Sequence, residues 1–135
     1  MSYIDCYLVP VPRENRAAYE KLATISAEVL KEQGALRVIE CWQDESGPEA
    51  STYHGDTARQ ESSSYNTFVH AAGANQTETV VISYVEWKDK AARDAGMEKM
   101  TSDPRMQFQD LPPAFDGKRL IAGGFIPMLD SAAKK

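Results

Sequence analysis

The chain has 135 residues, 42% of them apolar and 26% charged, with fifteen basic against twenty acidic side chains and a net charge of −5. That length and balance describe one folded domain with a single core and exclude a disordered chain. They also argue against a nucleic-acid partner, because holding a polyanion takes a basic footprint and no Lys/Arg cluster supplies one.

Tyr3 to Val11 opens with β-formers and meets Pro10 and Pro12, which cannot donate to a ladder, so the strand is expected to run out into a turn there. Arg13 to Gln33 reads as a long helix. Ala18, Leu22, Ile25 and Val29 share one face, and Tyr19, Ala23 and Leu30 widen it. Gly34 stands where a left-handed residue ends a helix. Ala35 to Trp42 is a second strand. Gln43 to Ser64 is rich in Ser, Gly, Glu, Asp and Thr and reads as a long exposed insertion.

Tyr65 to Ala72 fits either a short strand or a helical turn, and Gly73-Ala74-Asn75 supplies turn chemistry. Thr79 to Trp87 carries the strongest strand pattern. Asp89 can cap a helix through about Ser102 that turns Ala92, Ala95 or Gly96, and Met100 inward. Asp103-Pro104 restarts a short turn carrying Met106 and Phe108, which Leu111-Pro112-Pro113 breaks. Arg119 to Met128 closes as a last strand, with Gly123-Gly124 marking a bulge or a close backbone approach. Residues 1–130 thus form one domain with the 43–64 insertion, and 131–135 is a frayed tail.

This order predicts an α+β, ferredoxin-like βαββαβ fold: a four-stranded antiparallel sheet with its helices on one face. In the first strand Ile4, Cys6 and Leu8 are expected to meet the helices, while Tyr3, Asp5, Tyr7 and Val9 point away. A half-apolar sheet face left bare calls for a second copy, so a homodimer is expected.

Several runs resemble the YbaA-like family of bacterial proteins, domain of unknown function 1428. They are Tyr3-Ile4-Asp5 with Val9-Pro10-Val11-Pro12, Gly34 through Trp42, Val85-Glu86-Trp87, and Arg93-Asp94-Ala95-Gly96. Asp103-Pro104-Arg105-Met106 follows, then Phe115-Asp116-Gly117-Lys118-Arg119 leading into Gly123-Gly124-Phe125. The resemblance covers nearly the whole chain in order. It implies a dimeric α/β barrel, two ferredoxin-like sheets facing each other around a shared interior, and it implies no activity. The 43–64 region looks longer than is typical of the family.

For a site, strand alternation pairs Glu40 with Trp42, Arg37 with Cys41, and Tyr84 with Glu86. If Asp5, Glu40 and Glu86 all entered the space between sheets, they would form an acidic cluster beside aromatic walls, able to serve as general acid or base. The candidate pocket is therefore Asp5, Tyr7, Arg37, Glu40, Trp42, Tyr84, Glu86 and Arg105, with no catalytic residue assigned. The preferred alternative is structural: these carboxylates pair with Arg37, Arg93 or Arg119, or face water. Arg105 has an anion-holding reading and a favoured one as part of a cap and anchor.

No metal or cofactor is expected. His54 and His70 lack ligand spacing, neither long helix carries a haem-ligating histidine, and no phosphate loop or nucleophile elbow is present. Cys6 and Cys41 read as buried free thiols of a cytoplasmic protein. The N-terminus lacks signal-peptide character and no apolar run spans a bilayer, so no membrane partner is expected. Small-molecule binding in a dimer cavity is the first functional expectation. The second is a cofactor-independent monooxygenase or isomerase acting on a small hydrophobic or aromatic substrate, by analogy of fold alone.

Overall fold

The structure, a computed structural model, describes residues 2–107 and 112–132. Strand β1 (Tyr3–Pro12) leads through a 3-10 turn into helix α1 (Arg16–Glu32), then strand β2 (Arg37–Trp42). A long connection carries the short helix α2 (Phe68–Ala72) before strand β3 (Glu78–Trp87), helix α3 (Lys90–Ser102) and strand β4 (Ile121–Phe125). The sheet order is β2-β3-β1-β4 with every neighbour antiparallel. This is the expected ferredoxin-like α+β fold.

The turn chemistry behaves as the residues dictate. Gly34 takes φ +110° and Gly73 φ +68°, the left-handed conformations that end α1 and α2 without a Cβ penalty. Asp89 caps α3 by accepting from Ala92 N at 2.7 Å, and Thr67 caps α2 by accepting from His70 N at 3.0 Å. The ambiguous 65–72 stretch is therefore helical from Phe68 onward. Strand β1 continues through both prolines instead of ending at them. Its pairing with β4 stops at Leu8, so beyond that point only β3 needs its backbone. The last strand is shorter than expected, because a 3-10 turn occupies Gly117–Arg119. Phe108, Leu111 and part of the 131–135 tail lie outside the described residues.

The strand faces are the reverse of the expectation. Register aligns Val9 with Val81 and Trp42, Tyr7 with Ser83 and Glu40, and Asp5 with Val85 and Val38. These rows meet the helices: Val9, Val11, Tyr19, Val81 and Ala114 form one core cluster, and Leu30, Ala35, Val85 and Trp87 another. Ile4, Cys6 and Leu8 face the other way. Asp5 goes inside because Arg93 and the Trp87 indole meet its carboxylate there, so a charge that looked like a surface marker is buried. Helix α1 is rotated correspondingly: Tyr19, Val29 and Leu30 are buried, whereas Ala18 is exposed and Ile25 only half-buried.

Candidate functional site

The two sheet faces hold different chemistry. Each of the two strongly buried carboxylates among the described residues has an arginine, Asp5 on the helix-covered face and Glu78 at the start of β3 on the opposite one. Asp5 accepts from Arg93 Nε at 3.0 Å and from Trp87 Nε1 at 3.2 Å. Glu78 accepts from Arg119 Nη1 at 2.7 Å, and Arg119 also reaches the Gly73 carbonyl at 2.6 Å, tying the chain near β4 to the end of the long connection. The arginine holds the Glu78 carboxyl below its ordinary range.

Glu40 differs. Tyr19 Oη donates to it at 2.8 Å, and desolvation raises its pKa against that hydrogen bond. Tyr7, on the same row, is pushed up to about 12 by burial and by the neighbouring Asp5 charge. Tyr19 is raised by burial and by Glu40.

The helix-free face presents three rows. Ile121, Leu8, Ile82 and Cys41 form one; Gly123, Cys6, Tyr84 and Ile39 the next; Phe125, Ile4, Glu86 and Arg37 the last. Ile82, Ile121 and Phe125 are exposed in the single chain. Both cysteines are free and lie on this face, Cys6 half-buried and Cys41 exposed, which corrects the expectation of two buried thiols. Burial and the Asp5 charge raise the Cys6 thiol pKa.

The eight sequence-selected residues therefore do not meet. Asp5, Tyr7, Glu40 and Trp42 lie on the helix-covered face, and Arg37, Tyr84 and Glu86 on the other. Arg105 is on neither. It holds Glu32 of α1 at 2.8 Å and Asp103 at 2.8 Å, clamping the turn after α3 to α1. With its two carboxylates in place it acts as part of a cap: Asp103 also accepts from Arg105 N at 2.8 Å, and its carboxyl is lowered to about 2 by these bonds.

What the sequence reading missed is a pocket of about 560 Å³ under the long connection. That segment folds back over the end of the helix-free face. Gln43 N donates to Val80 O at 2.8 Å, Arg13 pairs with Glu45, and α2 packs on β1 and β3, burying Ala72. Cys41, Val80 and Ile82 make the pocket floor, while Tyr53, His54, Tyr65 and Phe68 wall it. His54 and Tyr65 stack face to face, centroids 4.0 Å apart at 8°. Arg59 holds the His54 carbonyl at 3.0 Å, and Tyr65 Oη accepts from Gln60 N at 2.6 Å, so the stack is supported from behind. Tyr53 in the otherwise polar insertion, with Tyr65 and Phe68 just after it, is the available signal.

The family model described as "protein of unknown function (DUF1428)" matches residues 2–117. The chain belongs to this family. The uncharacterised YbaA of Escherichia coli K12 is 39% identical over 131 residues, covering 96% of this chain and 99% of YbaA, and YbaA of Shigella flexneri matches equally. Among solved structures, Rv0793 from Mycobacterium tuberculosis superposes with a TM-score of 0.53 at 9% identity, covering 98% of this chain and all of that one. SnoaB, a cofactor-independent oxygenase from Streptomyces nogalater, gives 0.51 at 11% identity over 96% of this chain and 95% of its own. These likenesses bear out the ferredoxin-like α+β fold of the DUF1428 protomer. No helix among the described residues is long and apolar enough to cross a membrane.

Proposed function

We propose that this DUF1428 protein is a cytoplasmic homodimer that closes its helix-free faces together and holds a small, largely apolar, ring-bearing molecule beneath the 43–77 connection. The observation that carries the reading is the pocket itself: about 560 Å³, floored by Cys41, Val80 and Ile82 and walled by four rings. That size suits a compact organic ligand, and an apolar cleft with a few polar groups is the usual form of such sites. Dimerisation is supported by the row of Ile121, Leu8, Ile82 and Cys41, which water would otherwise wet, and by Arg37 facing Glu86 across the strands, a pattern that a two-fold partner can complement. The free thiols support a reducing compartment.

Native mass spectrometry of the purified protein, with and without Ile82→Trp, tests both parts. A dimer carrying a retained small molecule, lost when the tryptophan fills the floor, is the expected result. A monomer with an empty pocket at micromolar concentration overturns the reading.

A second reading is a cofactor-independent oxygenase or isomerase working on a hydroxylated aromatic compound in the same pocket. It is favoured by the fold likeness to SnoaB and by His54, the histidine in the pocket wall. Oxygen uptake with a panel of hydroxylated aromatics, abolished by His54→Ala, separates enzyme from binder.

A further inference from the structure

The geometry points to a second ligand site, for a small organic cation of the alkylammonium kind, in the cleft between α1 and the edge strand β2. This cleft of about 360 Å³ opens on the helix-covered side of β2; Cys41 and Trp42 of that strand line both it and the pocket under the long connection, and the proposal does not rest on that pocket's function. Tyr19 and Trp42 form its corner, their rings 5.4 Å apart and inclined at 60°. Glu20 and Glu40 stand beside the rings, with Ala23 and Val81 as apolar lining.

Three features give the ligand its class. The first is uncompensated charge. Asp5, Glu32, Glu45, Glu78 and Asp103 each face an arginine. Among the described residues Glu20 and Glu40 form no ion pair. Their donors are neutral: Trp42 Nε1 to Glu20 at 2.8 Å and Tyr19 Oη to Glu40 at 2.8 Å. These bonds fix the carboxylates in position without cancelling their charge.

The second is the aromatic corner, whose ring faces are negative and attract a cation. Trp42 already carries one, since the Arg16 guanidinium lies 4.5 Å from its ring centroid. Arg16 balances one carboxylate by count, leaving one negative charge for an incoming ligand. The third is the lining. Methyl or methylene groups of an ammonium compound can rest on Ala23 and Val81, whereas a hard divalent ion would demand six or more oxygen donors that the cleft does not supply. A partly desolvated carboxylate beside an aromatic ring is therefore matched by a large, weakly hydrated cation.

The protein has two tryptophans, Trp42 in the cleft and Trp87 buried on Asp5, so their indole N–H signals in a ¹⁵N NMR spectrum provide a probe and an internal reference. Titration with tetramethylammonium chloride, against sodium chloride at equal ionic strength, is expected to move the Trp42 signal saturably and leave Trp87 in place. Glu40→Gln keeps an oxygen for the Tyr19 hydroxyl and removes the charge; it should weaken binding at least tenfold. If that variant also moves the Trp87 signal, Glu20→Gln on the helix surface replaces it and should weaken binding threefold or more. An equal shift with sodium, or wild-type affinity in the charge-removing variant, overturns the site.

Discussion

Two neighbouring residues, Val81 and Ile82, summarise how differently the two faces of one sheet are used. Val81 is 2% exposed beneath α1, and Ile82 is 43% exposed on the opposite face. The helix-covered face is closed within the chain, and its buried charge, Asp5, is neutralised by Arg93. The helix-free face is closed only at Val80, where the long connection folds over it; from Ile82 onward it is open in the single chain, and this is the surface of the proposed dimer. Similar apolar side chains are therefore buried by the chain's own helices on one side and left exposed on the other.

The largest expected effects come from reversing these roles. Val81→Asp places an unpaired charge in the core and should cost about 4 kcal/mol or more, enough to unfold a marginal domain. Ile82→Asp should leave the protomer folded, with a melting temperature within a few degrees of wild type, while weakening dimerisation at least a hundredfold (sedimentation velocity reads this directly). If both variants unfold alike, the contrast between the faces fails.

Next in size is Arg93→Met, which strands the Asp5 carboxylate on the covered face and should cost about 3 kcal/mol in urea unfolding. A cost below about 1 kcal/mol would mean that Asp5 is hydrated and that this face is less closed than described. Gly96→Ala is smaller. Its Cβ would lie 2.5 Å from the Trp87 ring, and overpacking of this kind costs about 1–3 kcal/mol. Thermal unfolding together with Trp87 fluorescence checks it.

The smallest effect concerns the exposed clamp of Arg105 with Glu32 and Asp103. Both carboxyl pKa values are lowered by the arginine, Asp103 to about 2 from 3.8. Their contribution is thus fully present above pH about 4.5 and is lost as the pH falls toward 2. Arg105→Met should flatten that part of the acid-stability profile and change stability at pH 7 only slightly, as expected of solvated ion pairs.

Much of the candidate chemistry was legible, but not its assembly. Asp5, Glu40 and Trp42 are legible as polar or aromatic groups in strands, yet placing Glu86 with them requires a face assignment that alternation alone cannot make. Tyr53, His54, Tyr65 and Phe68 went unselected because loop residues have no period from which to infer a common destination. Their convergence depends on contacts such as Gln43 N to Val80 O, which join distant parts of the chain.

The sequence by itself determined the order of strands and helices, the glycine stops and the aspartate caps, because each of these depends on a few adjacent residues. The tertiary structure decided which side of the sheet the helices cover. A strand's alternation defines two faces but carries no label for the inner one. That label comes from partners far along the chain: Arg93, 88 residues from Asp5, makes burial of the carboxylate tolerable and leaves Ile4, Cys6 and Leu8 facing outward.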